Sequence, residues 1–127
     1  MKIEFLADGS QDCPLILIHG QGIIVVRRLA EVLHRLADGA VCRADLHGTA
    51  GLVAPGGIRL TASVSRWDVG VVEVSPASFE WQLTEGSWDN VAGLLEPFCR
   101  GPVEEHRHQY IEQAGDIAVI VSTDRSW

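Results

Sequence analysis

The stretch Pro14-Leu15-Ile16-Leu17-Ile18-His19-Gly20-Gln21-Gly22 joins an apolar run to a glycine-rich turn. The run 15–19 is too apolar to have a solvent face, which is typical of a buried strand. Beyond Gly22, apolar residues recur at three- and four-residue spacing as far as Asp38, and this period predicts an amphipathic helix over 22–38. The stretch therefore predicts a buried strand that enters a helix through a tight turn.

The turn at residues 19–22 resembles the oxyanion-hole segment of α/β-hydrolases, where backbone N–H groups between a strand and a helix bind an anion. That family also needs a nucleophile elbow of the form Gly-x-Ser-x-Gly, and this sequence contains none. His19, Gly20 and Gly22 therefore form a candidate anion- or ligand-binding turn. The alternative is that the glycines only allow the chain to turn. No residue is assigned a catalytic role.

Alternation of apolar and polar residues predicts further short strands on both sides of this unit. They cover residues 2–7, 41–46, 58–65, 69–74, 78–83, 108–112 and 116–122. A hairpin is predicted between 58–65 and 69–74, with Trp67 at its end. A second amphipathic helix is predicted from a cap at Thr84 or Ser87 to about Glu96.

No internal repeat is visible, and consecutive strands with short connections favour antiparallel pairing. We therefore expect a single α+β domain over residues 1–127. It should contain a mostly antiparallel sheet of about six to eight strands with two amphipathic helices packed on one face.

The charge balance is acidic. Among 127 residues there are 17 acidic and 10 basic ones, and the net charge is −7 with neutral histidines. Because the basic residues are scattered, the chain lacks the clustered positive charge of a nucleic-acid surface. No apolar run approaches the ~20 residues of a membrane-spanning helix, and the first residues lack a signal-peptide pattern. We expect a cytoplasmic protein that binds neither nucleic acid nor membrane, whose acidic surface attracts basic proteins or serves solubility alone.

Cysteine and histidine positions give no complete metal-site spacing. Cys13, Cys42 and Cys99 are widely spaced and form no Cys-x-x-Cys pair, so they predict small buried side chains rather than disulfides or zinc ligands. The histidines are His19, His34, His47, His106 and His108. The pair at 106 and 108 would share one face of a strand, but no third ligand is fixed by spacing. We expect no metal and no cofactor.

Exposed aromatic residues beside carboxylates favour a protein-binding surface. The candidates are Trp67 at the end of the predicted hairpin, Trp127, and the carboxylates Glu104, Glu105 and Asp124. For Trp127 the alternative is that its ring packs back onto the edge of the domain.

The layout resembles the small bacterial immunity proteins that neutralise polymorphic toxins. The similar features are a strand ending in His19-Gly20 before a long helix, the strand Phe79-Glu80-Trp81-Gln82-Leu83-Thr84 before Ser87-Trp88, the strand His108-Gln109-Tyr110-Ile111, and the run 117–122 followed by Thr123-Asp124-Arg125-Ser126-Trp127. The resemblance implies a stoichiometric protein inhibitor without catalysis or cofactor. It implies no particular contact residues, because such families vary in their binding surfaces.

These observations favour a non-catalytic protein-binding module, of which an immunity-type inhibitor of a basic toxin is the most specific form. One alternative is a structural subunit that forms a homodimer, because the apolar turn 23–26 and Trp67 could bury against a second copy. The other is a small hydrolase-like or ligand-binding domain that uses the turn from His19 to Gly22.

Overall fold

Strands and helices of the computed structural model follow the predicted order along the chain. The structure describes residues 1–100, 107–113 and 115–127. Its elements are β1 (Lys2–Leu6), β2 (Leu15–His19), α1 (Ile23–Ala37), β3 (Arg43–Asp45), β4 (Arg59–Val64), β5 (Gly70–Ser75), β6 (Ser78–Leu83), α2 (Glu85–Leu95), β7 (His108–Glu112) and β8 (Ala118–Ser122). Short 3₁₀ turns follow β3 at Leu46–Gly48 and α2 at Glu96–Cys99.

The strands form two mixed sheets. The first sheet has the order β1-β2-β8-β7 and the second sheet the order β3-β4-β6-β5. In each sheet the outer pairs are antiparallel and the central pair, β2 with β8 or β4 with β6, is parallel. The α+β class is thus confirmed, but the prediction of one mostly antiparallel sheet is wrong. The central partners are not consecutive strands in the chain, so local turn signals do not report their pairing.

The predicted hairpin between β4 and β5 is also wrong. β5 pairs with β6 instead, across the turn at Pro76 and Ala77, where Ala77 has a φ of 62°. β4 pairs with the other side of β6. Alternation showed which residues face the core but could not show which strand is the neighbour.

The topology is doubled. The unit β1-β2-α1-β3-β4 has the same order of elements as β5-β6-α2-β7-β8. Each sheet takes the first antiparallel pair of one unit and the second antiparallel pair of the other. The helices share the i, i+3, i+4, i+7 spacing of buried residues, which are Val26, Leu29, Ala30 and Leu33 in α1 and Trp88, Val91, Ala92 and Leu95 in α2. The two helices share this spacing but few residue identities, and the sequence therefore shows no repeat.

Both helices bury their apolar faces in one core shared with the inner faces of both sheets. Trp81 and Trp88 lie at its centre, with ring centroids 4.9 Å apart and ring planes at 66°. The indole N–H of Trp81 donates to Glu112 Oε1 (2.8 Å), and that of Trp88 donates to the carbonyl of Ser63 (2.9 Å). These bonds satisfy the polar atoms of two buried rings and connect β6 with β7 and α2 with β4.

Among the described residues, no helix has the length and apolar character that spanning a membrane requires.

Adjacent leucines of α2 provide a matched test of this packing. Leu95 is 1% exposed, whereas Leu94 is 37% exposed. We expect Leu95→Ala to lower the free energy of unfolding by about 2–5 kcal/mol, because it removes buried contacts and leaves a cavity. Chemical denaturation followed by tryptophan fluorescence measures this loss. Leu94→Ala is the control and should cost less than half as much; equal losses would contradict the described packing of α2.

Candidate functional site

Met1 packs closely against the glycine-rich turn between β2 and α1. Gly20 has a φ of +117°, and a Cβ there would lie 3.3 Å from Met1 Cα. A Cβ on Gly22 would lie only 2.8 Å from Met1 Cγ, so a larger residue would force Met1 to move. Gly22 also precedes α1 without any side-chain cap. Both glycines thus have a steric reason to be there, whether or not the turn binds a ligand.

The His19 side chain is held by an acidic partner. His19 is buried, and its Nε2 lies 2.6 Å from Glu4 Oε2 on β1. The same carboxylate oxygen accepts a hydrogen bond from Arg125 Nε at 3.2 Å. Burial alone would raise the pKa of Glu4, but the hydrogen bonds and charges of His19 and Arg125 outweigh it and hold that pKa below 4.5. The cluster therefore ties the chain near residue 125 to the first sheet.

Ser122 lies beside His19 on the neighbouring strand β8. Glu4, His19 and Ser122 thus occupy adjacent strands of the first sheet, with the residue types of an acid, a base and a nucleophile. However, the Ser122 hydroxyl is fully buried and lies 2.6 Å from the carbonyl oxygen of Ser126, to which it donates. The arrangement anchors residues 123–127 rather than presenting a free hydroxyl to solvent.

A cleft of about 540 Å³ lies on the other side of the turn, at the start of α1. Its walls come from residues 20–27, with Phe98 and Thr123. The Thr123 hydroxyl accepts from the backbone N–H of Arg107, and Arg27 Nε donates to the carbonyl of Cys99. Most of the side chains that line the cleft are apolar, and among the polar ones Arg27 and Thr123 are already bonded to the backbone of the protein.

The described histidines form no common cluster, although His19 and His108 lie on either side of Ser122 in the first sheet. The backbone N–H of Leu60 donates to His47 Nδ1 (3.0 Å), so His47 belongs to the second sheet, whereas His19 belongs to the first. No group of three or more potential metal ligands occurs among the described residues. His106 lies outside them. Cys13, Cys42 and Cys99 are free thiols.

Two of the binding residues predicted in the C-terminal part, Asp124 and Trp127, follow β8 of the first sheet. Trp127 packs against the outer-face cluster of Leu15, Leu17 and Ile120, and its indole N–H donates to Asp12 Oδ2 (3.0 Å). Asp124 accepts hydrogen bonds from the backbone and hydroxyl of Ser126. Residues 104 and 105, both predicted glutamate contacts, lie outside the described residues.

Trp67, the remaining predicted binding residue, is 75% exposed. Val69, Val72 and Val74 follow it, and each is at least 40% exposed. We call Trp67 and these three valines the β5 patch. Sequence reasoning missed the valines, because an apolar strand suggests burial. The signal was present in Val71-Val72, since consecutive apolar residues of a strand face opposite sides.

The loop that carries Trp67 is fixed to α2. Asp68 accepts hydrogen bonds from the backbone N–H of Thr84 (2.9 Å) and from the hydroxyls of Thr84 and Ser87. These bonds, that of the Thr84 backbone first, lower the pKa of Asp68 from its usual 3.8. The backbone N–H of Val69 also donates to the carbonyl of Gln82 (3.0 Å). Hydrogen bonds to the start of α2 and to β6 thus hold the loop that carries the exposed indole.

No protein-family model matches this chain, and comparison with curated proteins and with solved structures shows no significant match. The resemblance to immunity proteins stays a prediction.

The Asp68 anchor gives a pH-dependent prediction. A carboxylate whose pKa is lower in the folded state stabilises the fold above its unfolded pKa, and this contribution disappears as pH falls through the folded pKa. Asp68→Asn should therefore lower the free energy of unfolding most at pH 7, and the difference from wild type should shrink below about pH 3.8. Denaturation curves across pH 2–7 measure it.

Asp89→Asn is the matched control, because Asp89 lies on the exposed face of α2, the helix to which Asp68 anchors its loop. It should change the free energy of unfolding at pH 7 less than Asp68→Asn does. A loss in Asp68→Asn that stays constant down to pH 2 would contradict the role of its charge.

Proposed function

We propose that this chain is a non-catalytic protein-binding module whose contact surface is the β5 patch. One observation carries the proposal: of the seven large apolar side chains exposed among the described residues, four lie within residues 67–74. Exposed apolar residues that lie close together on a globular protein mark an interaction site more often than scattered ones do, and these four are near neighbours along the chain. Tryptophan is also among the residues that contribute most to binding energy in protein interfaces.

The ordered loop supports the same conclusion. Binding costs less when contact residues are already held in their bound arrangement, because fewer side chains and loops must be ordered. Asp68 holds the Trp67 loop on α2, and β6 holds β5 along its inner side. Hydrogen bonds within the fold therefore hold both the loop and the strand of the patch.

Charge favours a basic partner. The net charge of −7 attracts positively charged proteins and speeds their association at low salt. Together with the resemblance to immunity proteins, this leads to the most specific form of the proposal: the module binds a basic toxin and inhibits it stoichiometrically. The internal hydrogen bonds of His19 and Ser122 support the non-catalytic part, because both side chains serve to hold the chain together.

A binding experiment with Trp67→Ala tests the proposal. The full chain, immobilised, is used to capture proteins from the cells that produce it, and a retained basic protein is purified and titrated. We expect Trp67→Ala to raise its Kd by about 30-fold, the equivalent of about 2 kcal/mol for a central tryptophan. Raising the salt concentration should also weaken binding.

Two comparisons make the result specific. Val72→Thr should weaken binding, whereas Val53→Thr, the same substitution at a valine that is 58% exposed outside the patch, should leave the Kd within about twofold. An unchanged Kd in both Trp67→Ala and Val72→Thr would overturn the assignment of the patch. A wild-type dimer in sedimentation that Trp67→Ala dissociates would assign the patch to a second copy of the chain instead.

A further inference from the structure

The outer edge of β5 is open over much of its length. β5 is the last strand of the second sheet and pairs only with β6. At its beginning, Gly70 lies against Gly115, since a Cβ on Gly70 would be 3.3 Å from Gly115 Cα. Beyond this contact, within the described chain, no strand pairs with the edge at residues 72–75.

Two other sheet edges are occupied or shortened. The backbone of Val53 pairs with the outer edge of β1, because the N–H of Ile3 donates to Val53 O (2.9 Å) and the N–H of Val53 donates to Met1 O (3.0 Å). β3 has three residues, and beyond its end the His47 side chain accepts the hydrogen bond of the Leu60 N–H. The open edge of β5 therefore differs from these two edges, although β7, the other end strand of the first sheet, also pairs with only one described strand.

The composition of β5 suits pairing with another strand. Edge strands are usually protected from association by lysine, proline, charges or bulges. β5 reads Gly-Val-Val-Glu-Val-Ser, with Glu73 as its one charged residue and an irregularity between Glu73 and Ser75. Its valines are β-branched residues that pack well on a pleated surface. Val72 and Val74 lie on one exposed face of the strand, so an added neighbour would find apolar side chains beside its own.

We propose that the partner binds by strand addition, with an extended basic segment pairing along β5 as a fifth strand of the second sheet. This inference rests on the proposed protein-binding function and specifies its geometry. About four residues, or about 13 Å of extended chain, would cover the open edge at residues 72–75. Side chains on one face of the segment would contact Val72 and Val74, and Trp67 would cover one end.

Charge around the edge identifies the segment as basic. Asp68 and Glu73 lie on β5 or its preceding loop, and Asp116 follows Gly115, which touches the start of the strand. Arg66 is the one basic residue of the segment 66–75. Glu80, on β6, is already paired with Arg43 at 3.1 Å and adds little net charge. Arg59 lines the depression next to Val74, but lysine or arginine side chains of an added strand would still meet more carboxylates than cations along this edge.

Amide hydrogen exchange of the full chain tests the geometry directly. The probe is a synthetic ten-residue peptide that alternates valine and lysine. We expect it to slow exchange of the edge-facing amides within 72–75 by at least tenfold and to leave those of β3 unchanged, because added backbone bonds protect only the strand they join. The same peptide N-methylated at alternate residues on its pairing edge should give no such protection.

Variants and a second peptide test the charge. Glu73→Lys should weaken the lysine peptide at least fivefold, and a valine–glutamate peptide should bind the wild type at least fivefold more weakly than the lysine peptide. Equal affinity for the two peptides would overturn the basic character of the segment. Protection of the 72–75 amides that rises with protein concentration alone would identify a second copy as the occupant and overturn the proposal.

The two proposals fail in different ways. If the lysine peptide does not protect the 72–75 amides while Trp67→Ala still weakens the captured partner, strand addition is wrong and the β5 patch remains the contact surface. If the peptide protects these amides while neither Trp67→Ala nor Val72→Thr affects the captured partner, the assignment of the patch to that partner is wrong. Strand addition is then also wrong as the binding mode of the captured partner.

Discussion

Both sheets depend on a parallel pairing between strands that are not consecutive in the chain. β2 bonds to β8 in the first sheet, and β4 bonds to β6 in the second. A parallel pair cannot be closed by a tight turn, so the chain must pass through other elements before the second strand can join. Both helices lie between β2 and β8, whereas between β4 and β6 the chain passes only through β5. The helices bury their apolar faces in a core to which both sheets contribute, so each parallel pairing also brings core residues together.

Sequence reasoning succeeded where structure is encoded locally. The predicted bounds of β2, β6 and β7 match the structure, and α1 occupies Ile23–Ala37 against a prediction of 22–38. Hydrophobic period and capping residues carry this information within a few turns of chain. Strand partners are encoded in the fit of distant surfaces, which explains why the single sheet and the β4–β5 hairpin were wrong. The anchoring of Asp68 by Thr84 and Ser87 was invisible for the same reason.

The two sheets, although equivalent in topology, use their outer faces differently. On the first sheet, Trp127 covers an apolar cluster and the Glu4–Arg125 contact holds the adjoining chain. On the second sheet, the β5 patch and the neighbouring strand edge stay exposed. The candidate site could be predicted in part, because Trp67 lies in a polar loop of the sequence. Its extension along β5 could not, since a valine-rich strand has the same sequence pattern whether it lies inside a sheet or at its edge.

The doubled topology relates this fold to one that two separate chains could form. Two separate chains, each with the order strand pair, helix, strand pair, would build the same two sheets by exchanging their second strand pairs. The single chain therefore has the strand arrangement of a domain-swapped dimer, with the loop between β4 and β5 joining its two halves. The halves are not equivalent in detail, because the first sheet has a covered outer face and the second sheet an exposed strand edge.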